Sequence, residues 1–205
     1  MNKKTIIGLL VILTLTLTIV SINVVKLNAD KKQAAVLEAQ KKRDEKYFSA
    51  TYHFYDSTTA YDFISSSQLS TYSIVWKNAI QKQEDFSLAV NTEITKSSDT
   101  IQGLTNIYEK LGGNLKVVSE AAKEQPKKYK ETYEEYKKLY GVITAIHEQV
   151  QLPSGSLLEF NKNINYLQQE YKKIRGNIEI TIPDEIKKEH EKRIKENRNN
   201  SSSKI

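Results

Sequence analysis

Residues 127–176 read KKYKETYEEYKKLYGVITAIHEQVQLPSGSLLEFNKNINYLQQEYKKIRG, and their apolar spacing decides the fold. Tyr129, Tyr133, Tyr136, Tyr140, Ile143, His147 and Val150 recur at steps of 4, 3, 4, 3, 4 and 3, which is a heptad seam. Pro153-Ser154-Gly155 interrupts it. Ser156 followed by Glu159 is a capping box that opens a second helix. On that helix Leu157, Phe160, Ile164, Leu167, Tyr171 and Ile174 recur at steps of 3, 4, 3, 4 and 3. Two seams joined by a tight turn predict an antiparallel helical hairpin. Tyr129, Tyr133, Tyr136 and Tyr140 each carry a hydroxyl that needs a partner or water. Three arrangements would supply one: a core whose edge reaches solvent, a wet groove, or a homodimer through this seam.

Working toward the N-terminus, helical periodicity continues. Tyr72, Val75/Trp76, Ala79, Phe86, Val90 and Ile94 follow Leu69 at mostly 3–4 spacing, with a polar gap at Lys82/Gln83; Ser97-Ser98-Asp99 then either interrupts the pattern or is an exposed face of one that continues through Ile101, Leu104, Ile107/Tyr108 and Leu111. Gly112-Gly113 reads as a helix end or a kink, and Pro126 ends the short segment around Leu115, Val117 and Val118. Before these lies Tyr47–Phe63, with seven aromatics in 17 residues, closed by an expected break at Ser65-Ser66-Ser67. Its aromatics fall on more than one helical face, so a single packing partner does not account for them. Tyr47, Phe48, Tyr52, Phe54 and Tyr55 are therefore candidate partner contacts, against the alternatives of bundle packing or a bilayer interface. Beyond the hairpin, Gly176 is a candidate cap and Ile178, Ile180 and Ile182 alternate as an extended segment would. Pro183 opens a charged last helix that frays over 197–205.

The fold class expected is all-α: an N-terminal transmembrane helix, then an extended bundle of three to five helices ending in the antiparallel hairpin. The segments are a short tail (1–4), an anchor or signal peptide (5–25), a basic helical stalk (26–46), the bundle (47–182) and the charged C-terminal helix and tail (183–205). Residues 5–25 hold no charge, and 14 of the 21 are Ile, Leu or Val. As a helix they span roughly 31 Å, the thickness of a bilayer core. The run exceeds a signal-peptide core, and cleavage after Ala29 would place the large Leu27 at the −3 position, which favours an uncleaved anchor over secretion.

Of the 205 residues, 31 are Lys or Arg and 25 are Asp or Glu, a net charge of +6. Residues 1–43 carry eight basic and two acidic side chains, 44–101 four and eight, and 102–205 nineteen and fifteen. The excess is thus concentrated around the candidate anchor. Counting Lys and Arg on both flanks favours the C-terminal side inside. Translocation of long domains regardless of flanking charge, and the MNKK start, favour the N-terminus inside and the bundle outside, which is the orientation adopted.

Catalytic patterns fail on inspection. Zero cysteines exclude disulfides, thiolate metal sites and cysteine nucleophiles. His147-Glu148 begins a zinc-protease pattern, but Gln151 stands where the second histidine should, and Ile194 does the same for His190-Glu191. Gly112-Gly113 lacks the Lys-Ser/Thr of a phosphate loop. Glu131, Glu134 and Glu135 interleave with lysines as an ion-paired solvated face does. No nucleic-acid-binding pattern is present. The expectation is a bacterial-type, non-enzymatic protein of the cell membrane, without cofactor or metal. It has a single span and an extracytoplasmic bundle that binds or regulates another envelope protein. The alternative is a ligand-sensing bundle acting through a partner membrane protein.

Overall fold

The computed structural model describes the backbone of residues 3–202 and the side chains of 26, 27 and 30–196. Among the described residues every regular element is a helix: α1 (Lys3–Lys82), α2 (Phe86–Lys96), α3 (Ser98–Glu124), α4 (Pro126–Gln151), α5 (Leu157–Thr181) and α6 (Asp184–Ser202). The chain forms two compact units, Met1–Lys46 and Tyr47–Ile205. The candidate anchor, residues 5–25, lies outside the residues whose side chains are described, as does the tail at 197–205. Among the described residues no helix is long and apolar enough to cross a membrane.

In the first unit the side chains of 30–46 are almost all exposed. A helix polar all round relies on its own i,i+4 pairs, here Lys42–Glu38 at 2.8 Å and Lys41–Glu45 at 3.9 Å.

In the second unit, four long helices enclose one core: the α1 segment 47–82, α3, α4 and α5. Contacts along α1 fix their directions. Tyr47 meets Tyr129 and Phe54 stacks on Tyr136, while Tyr72 bonds Val150, so α4 runs parallel to α1. Trp76 meets Phe160, and Thr58 lies against Tyr171, so α5 runs antiparallel. α4 packs against both α3 and α5. The α1 seam is Tyr47, Thr51, Phe54, Thr58, Tyr61, Ser65, Leu69, Tyr72, Trp76 and Ala79, all buried. Large rings alternate with small hydroxyl residues, so aromatic knobs from α4 and α5 reach the α1 backbone. Tyr136 Oη donates to the Thr51 carbonyl at 2.9 Å and Tyr171 Oη to the Thr58 carbonyl at 2.8 Å.

This alternation corrects the expected break at Ser65-Ser66-Ser67. Serine competes with helix formation when its hydroxyl seeks other backbone partners. Here Ser65 donates back to the Asp62 carbonyl at 3.2 Å, and Ser66 receives Gln168 Nε2 from α5 at 3.2 Å. Ser65 is a small seam position, and the helix runs through it.

Other boundaries decide or correct the expectation. The periodic stretch 69–111 is divided at Gln83, whose φ of 59° turns the chain, while at Ser97-Ser98-Asp99 interruption is the one of the two readings that is found. Within 47–182 this makes five helices, the α1 segment and α2–α5, in agreement with the expected three to five, and α6 is the expected charged last helix. Gly112-Gly113 does not interrupt α3; a Cβ on Gly112 would lie 2.7 Å from the Tyr140 hydroxyl, so glycine there admits α4 closely. Gly176 does not cap α5, and Ile178–Thr181 are helical, with Ile182 alone in extended geometry as the C-cap. Ile174, Ile178 and Ile182 are buried at helical spacing, whereas Ile180 is 81% exposed.

Candidate interaction site

The residues read as partner contacts are interior. Tyr47, Tyr52, Phe54 and Tyr55 are all buried, and Phe48 is half-buried. Tyr47 and Phe54 belong to the α1 seam. Tyr52 and Tyr55 lie on a second stripe, and that stripe finds its own cover. The Arg193 guanidinium of α6 sits 4.4 Å from the Tyr52 ring, and Arg175 of α5 sits 3.6 Å from the Tyr55 ring. Arg175 also donates to the Tyr55 carbonyl at 2.7 Å and to Thr58 Oγ1 at 2.6 Å. Tyr55 donates its hydroxyl to Glu179; burial, then this bond, pushes its pKa up to about 12. His190 Nδ1 lies 3.2 Å from Asp56, and Ile182 and Ile186 are buried, so α6 is fastened along this face. Four of these five side chains are thus covered within the chain, and Phe48 keeps part of its surface open.

The hairpin seam is also spent within the chain. Tyr129, Tyr136, Ile143, His147 and Val150 of α4, and Phe160, Ile164, Leu167, Tyr171 and Ile174 of α5, are buried; Tyr133, Tyr140 and Leu157 are half-buried. His147 of α4 is held from two other helices, α1 and α3. Its Nδ1 is 3.1 Å from Tyr61 Oη and its Nε2 3.5 Å from Thr105 Oγ1, while its ring stacks on Tyr108 at 4.5 Å. Burial lowers its pKa, outweighing Glu109 and Glu148. Tyr108 continues the cluster by stacking on Tyr140 and pairing its hydroxyl with Thr144 at 3.2 Å. Among the described residues, no group of three or more His, Asp or Glu is placed to hold a metal ion.

The end of the bundle where the α1–α2 and α4–α5 turns meet exposes several large apolar residues, as Phe63 and Ile180 are exposed elsewhere. This end lies roughly 50 Å along α1 from Tyr47 at 1.5 Å per residue. Both turns are firmly built. Asp85 caps α2, its Oδ1 accepting the Leu88 N–H at 3.0 Å. Gly155 adopts φ +92°, and Ser156 and Glu159 form a complete capping box. The buried Trp76 ring is sandwiched between Phe86 and Phe160, at 5.6 and 5.7 Å. A cleft of about 170 Å³ separates Trp76, Phe86 and Val90 from Pro153–Gly155. Beside it, between the end of α1 and α2, opens a groove of about 510 Å³ lined by Val75, Leu88 and Ala89 and rimmed by Glu84, Asp85 and Glu93. Around these openings stand Ile80, Phe86, Leu88, Leu152 and Leu158; Leu88, Leu152 and Leu158 are 66%, 71% and 79% exposed.

Single exposed leucines are ordinary, but large apolar side chains gathered at one end mark an interaction surface. The heptad spacing of the seams singles out none of Ile80, Leu88, Leu152 and Leu158, whereas Phe86 falls in the 3–4 pattern that follows Leu69. The signal for them is local: Leu157-Leu158 is an adjacent pair that cannot both face one core, and Leu152 sits directly against the helix-stopping Pro153.

No known protein family, curated protein sequence or solved structure matches the chain.

Proposed function

We propose that the chain is a non-enzymatic, single-pass membrane protein. Residues 5–25 form its span, and its extracytoplasmic helical bundle binds another component of the cell envelope through the α1–α2/α4–α5 end. The observation carrying the binding role is the set of exposed large apolar residues on two capped turns, beside a groove, at one end of the bundle. The uncharged 21-residue run at 5–25 supports the span, and its length supports retention over cleavage.

The test places a photo-crosslinking residue at Leu88 or Leu152 of a C-terminally tagged full chain in intact cells, with exposed Gln102 as the control position. The expected result is one discrete adduct from the end positions and none from Gln102. Equal or absent adducts at all three positions refute a partner at this end. Protease added to the same cells should remove the tag from the full-length chain. A protected tag would place the bundle inside, and a mature form shorter by about 29 residues, cut after Ala29, would replace the anchor with secretion.

A further inference from the structure

Resting on the reading that this end of the bundle binds a partner, we propose that the groove between α1 and α2 receives a cationic amphipathic helix of that partner. Its apolar stripe would lie on Val75, Leu88 and Ala89, with Lys or Arg side chains facing Glu84, Asp85 and Glu93. Volume and charge carry the assignment. The groove holds about 510 Å³, and its lining pairs apolar side chains with three carboxylates against one cation, Lys96. A helix in a groove is recognised through apolar anchors at i, i+3/i+4 and i+7, and the flanking charges set which helix is accepted.

The carboxylates are held in place. Asp85 is fixed as the α2 cap, and Glu93 accepts the Ser97 hydroxyl at 3.2 Å. An anionic lipid surface would set phosphates against these carboxylates. A second copy related by a two-fold axis would set the same carboxylates against themselves, because such an interface apposes one patch to its own image. A positively charged helix from a different chain meets neither objection.

The experiment uses the full chain in nonionic micelles, with empty micelles as the blank. The probe is a fluorescent 14-residue peptide of Leu and Lys, its leucines at positions i, i+3, i+4 and i+7; a peptide with Glu in place of every Lys is the comparison. Binding is read by anisotropy. The Leu/Lys peptide is expected to bind at least roughly tenfold more tightly than the Leu/Glu peptide. Combined Glu84→Gln and Glu93→Gln should weaken it roughly tenfold and flatten its salt dependence. Leu88→Ser should weaken it at all salt concentrations. All three positions are at least partly exposed and outside the core, and an unchanged melting curve verifies that each variant folds. Equal binding of the two peptides, or no effect of the two glutamines, overturns the proposal. Adducts at Leu88 in cells together with that result would leave a partner at this end but remove the cationic helix. Charge-dependent peptide binding without any adduct would keep the groove's preference and remove the envelope partner.

Discussion

Three tyrosine hydroxyls from different helices donate to backbone carbonyls inside the bundle, and their removal separates two kinds of acceptor. Tyr136 donates to the Thr51 carbonyl at 2.9 Å, Tyr171 to the Thr58 carbonyl at 2.8 Å and Tyr72 to the Val150 carbonyl at 2.9 Å. Thr51 and Thr58 lie mid-helix, so their carbonyls also accept the α1 N–H four residues on. Deleting the tyrosine hydroxyl there costs a net hydrogen bond, about 1 kcal/mol. Val150 lies in the last turn of α4, where three residues on stands Pro153, which has no N–H, and among the described residues no turn N–H donates to it. Removing Tyr72 Oη leaves a carbonyl in a buried site without that donor, a cost nearer 2–3 kcal/mol. For a unit of this size each kcal/mol lowers Tm by about 2–4 °C. Tyr136→Phe and Tyr171→Phe should therefore each lose about 3 °C, and Tyr72→Phe about 5–10 °C. The two mid-helix acceptors are seven residues apart, so their double variant should be nearly additive. The assay is thermal unfolding of the full chain in nonionic detergent, followed by circular dichroism at 222 nm. Equal losses for Tyr72→Phe and Tyr136→Phe would refute the distinction between acceptors. Three unchanged melting temperatures would refute the hydroxyl-to-α1 packing itself.

Other perturbations test separate parts of the structure. Because burial lowers the pKa of His147 below its unfolded value near 6.5, its contribution is fully present above that value. That contribution is lost as pH falls through the lower folded value, so stability should drop in mild acid, and His147→Gln should flatten that limb of a pH-dependent melting series. Gly112→Val would drive a side chain into the Tyr140 hydroxyl, 2.7 Å from the Cβ position, and should cost about 1–3 kcal/mol with a loss of near-ultraviolet dichroism from the Tyr108–Tyr140 stack. Ser156→Ala removes the hydroxyl side of the α5 capping box and should cost about 1 kcal/mol in denaturant unfolding.

The helices were legible where the apolar period was uniform. Along α4 and α5 each seam position is a large apolar or aromatic residue, and the Pro-Ser-Gly turn with its capping box leaves little choice of boundary. α1 was harder because its seam alternates Tyr or Phe with Thr or Ser. Thr51, Thr58 and Ser65 look polar in sequence, yet their side chains are buried with hydroxyls returned to the preceding turn. Their smallness lets Tyr136 and Tyr171 reach the backbone, so polarity misleads and volume informs. The same lesson applies at Gly112, where two glycines suggest a break, while the structure uses the first as space for Tyr140.

The candidate site was less legible for a related reason. An aromatic-rich run attracts an interface reading because tyrosine is favoured on binding surfaces, but tyrosine also suits a core that offers its hydroxyl a carbonyl, a carboxylate or a cation. At Tyr52 and Tyr55 that offer comes from arginines on α5 and α6, more than 100 residues away in the chain. Nothing local to 47–63 announces them. Conversely, Leu88, Leu152 and Leu158 look like ordinary helix-end leucines in sequence. They become a surface because the α1–α2 and α4–α5 turns arrive at the same end of the bundle, with Trp76 clamped between Phe86 and Phe160 beneath them. Topology therefore buries Tyr47, Tyr52, Phe54 and Tyr55 and leaves the turn leucines exposed, and chain connectivity is what brings those leucines to one end of the bundle.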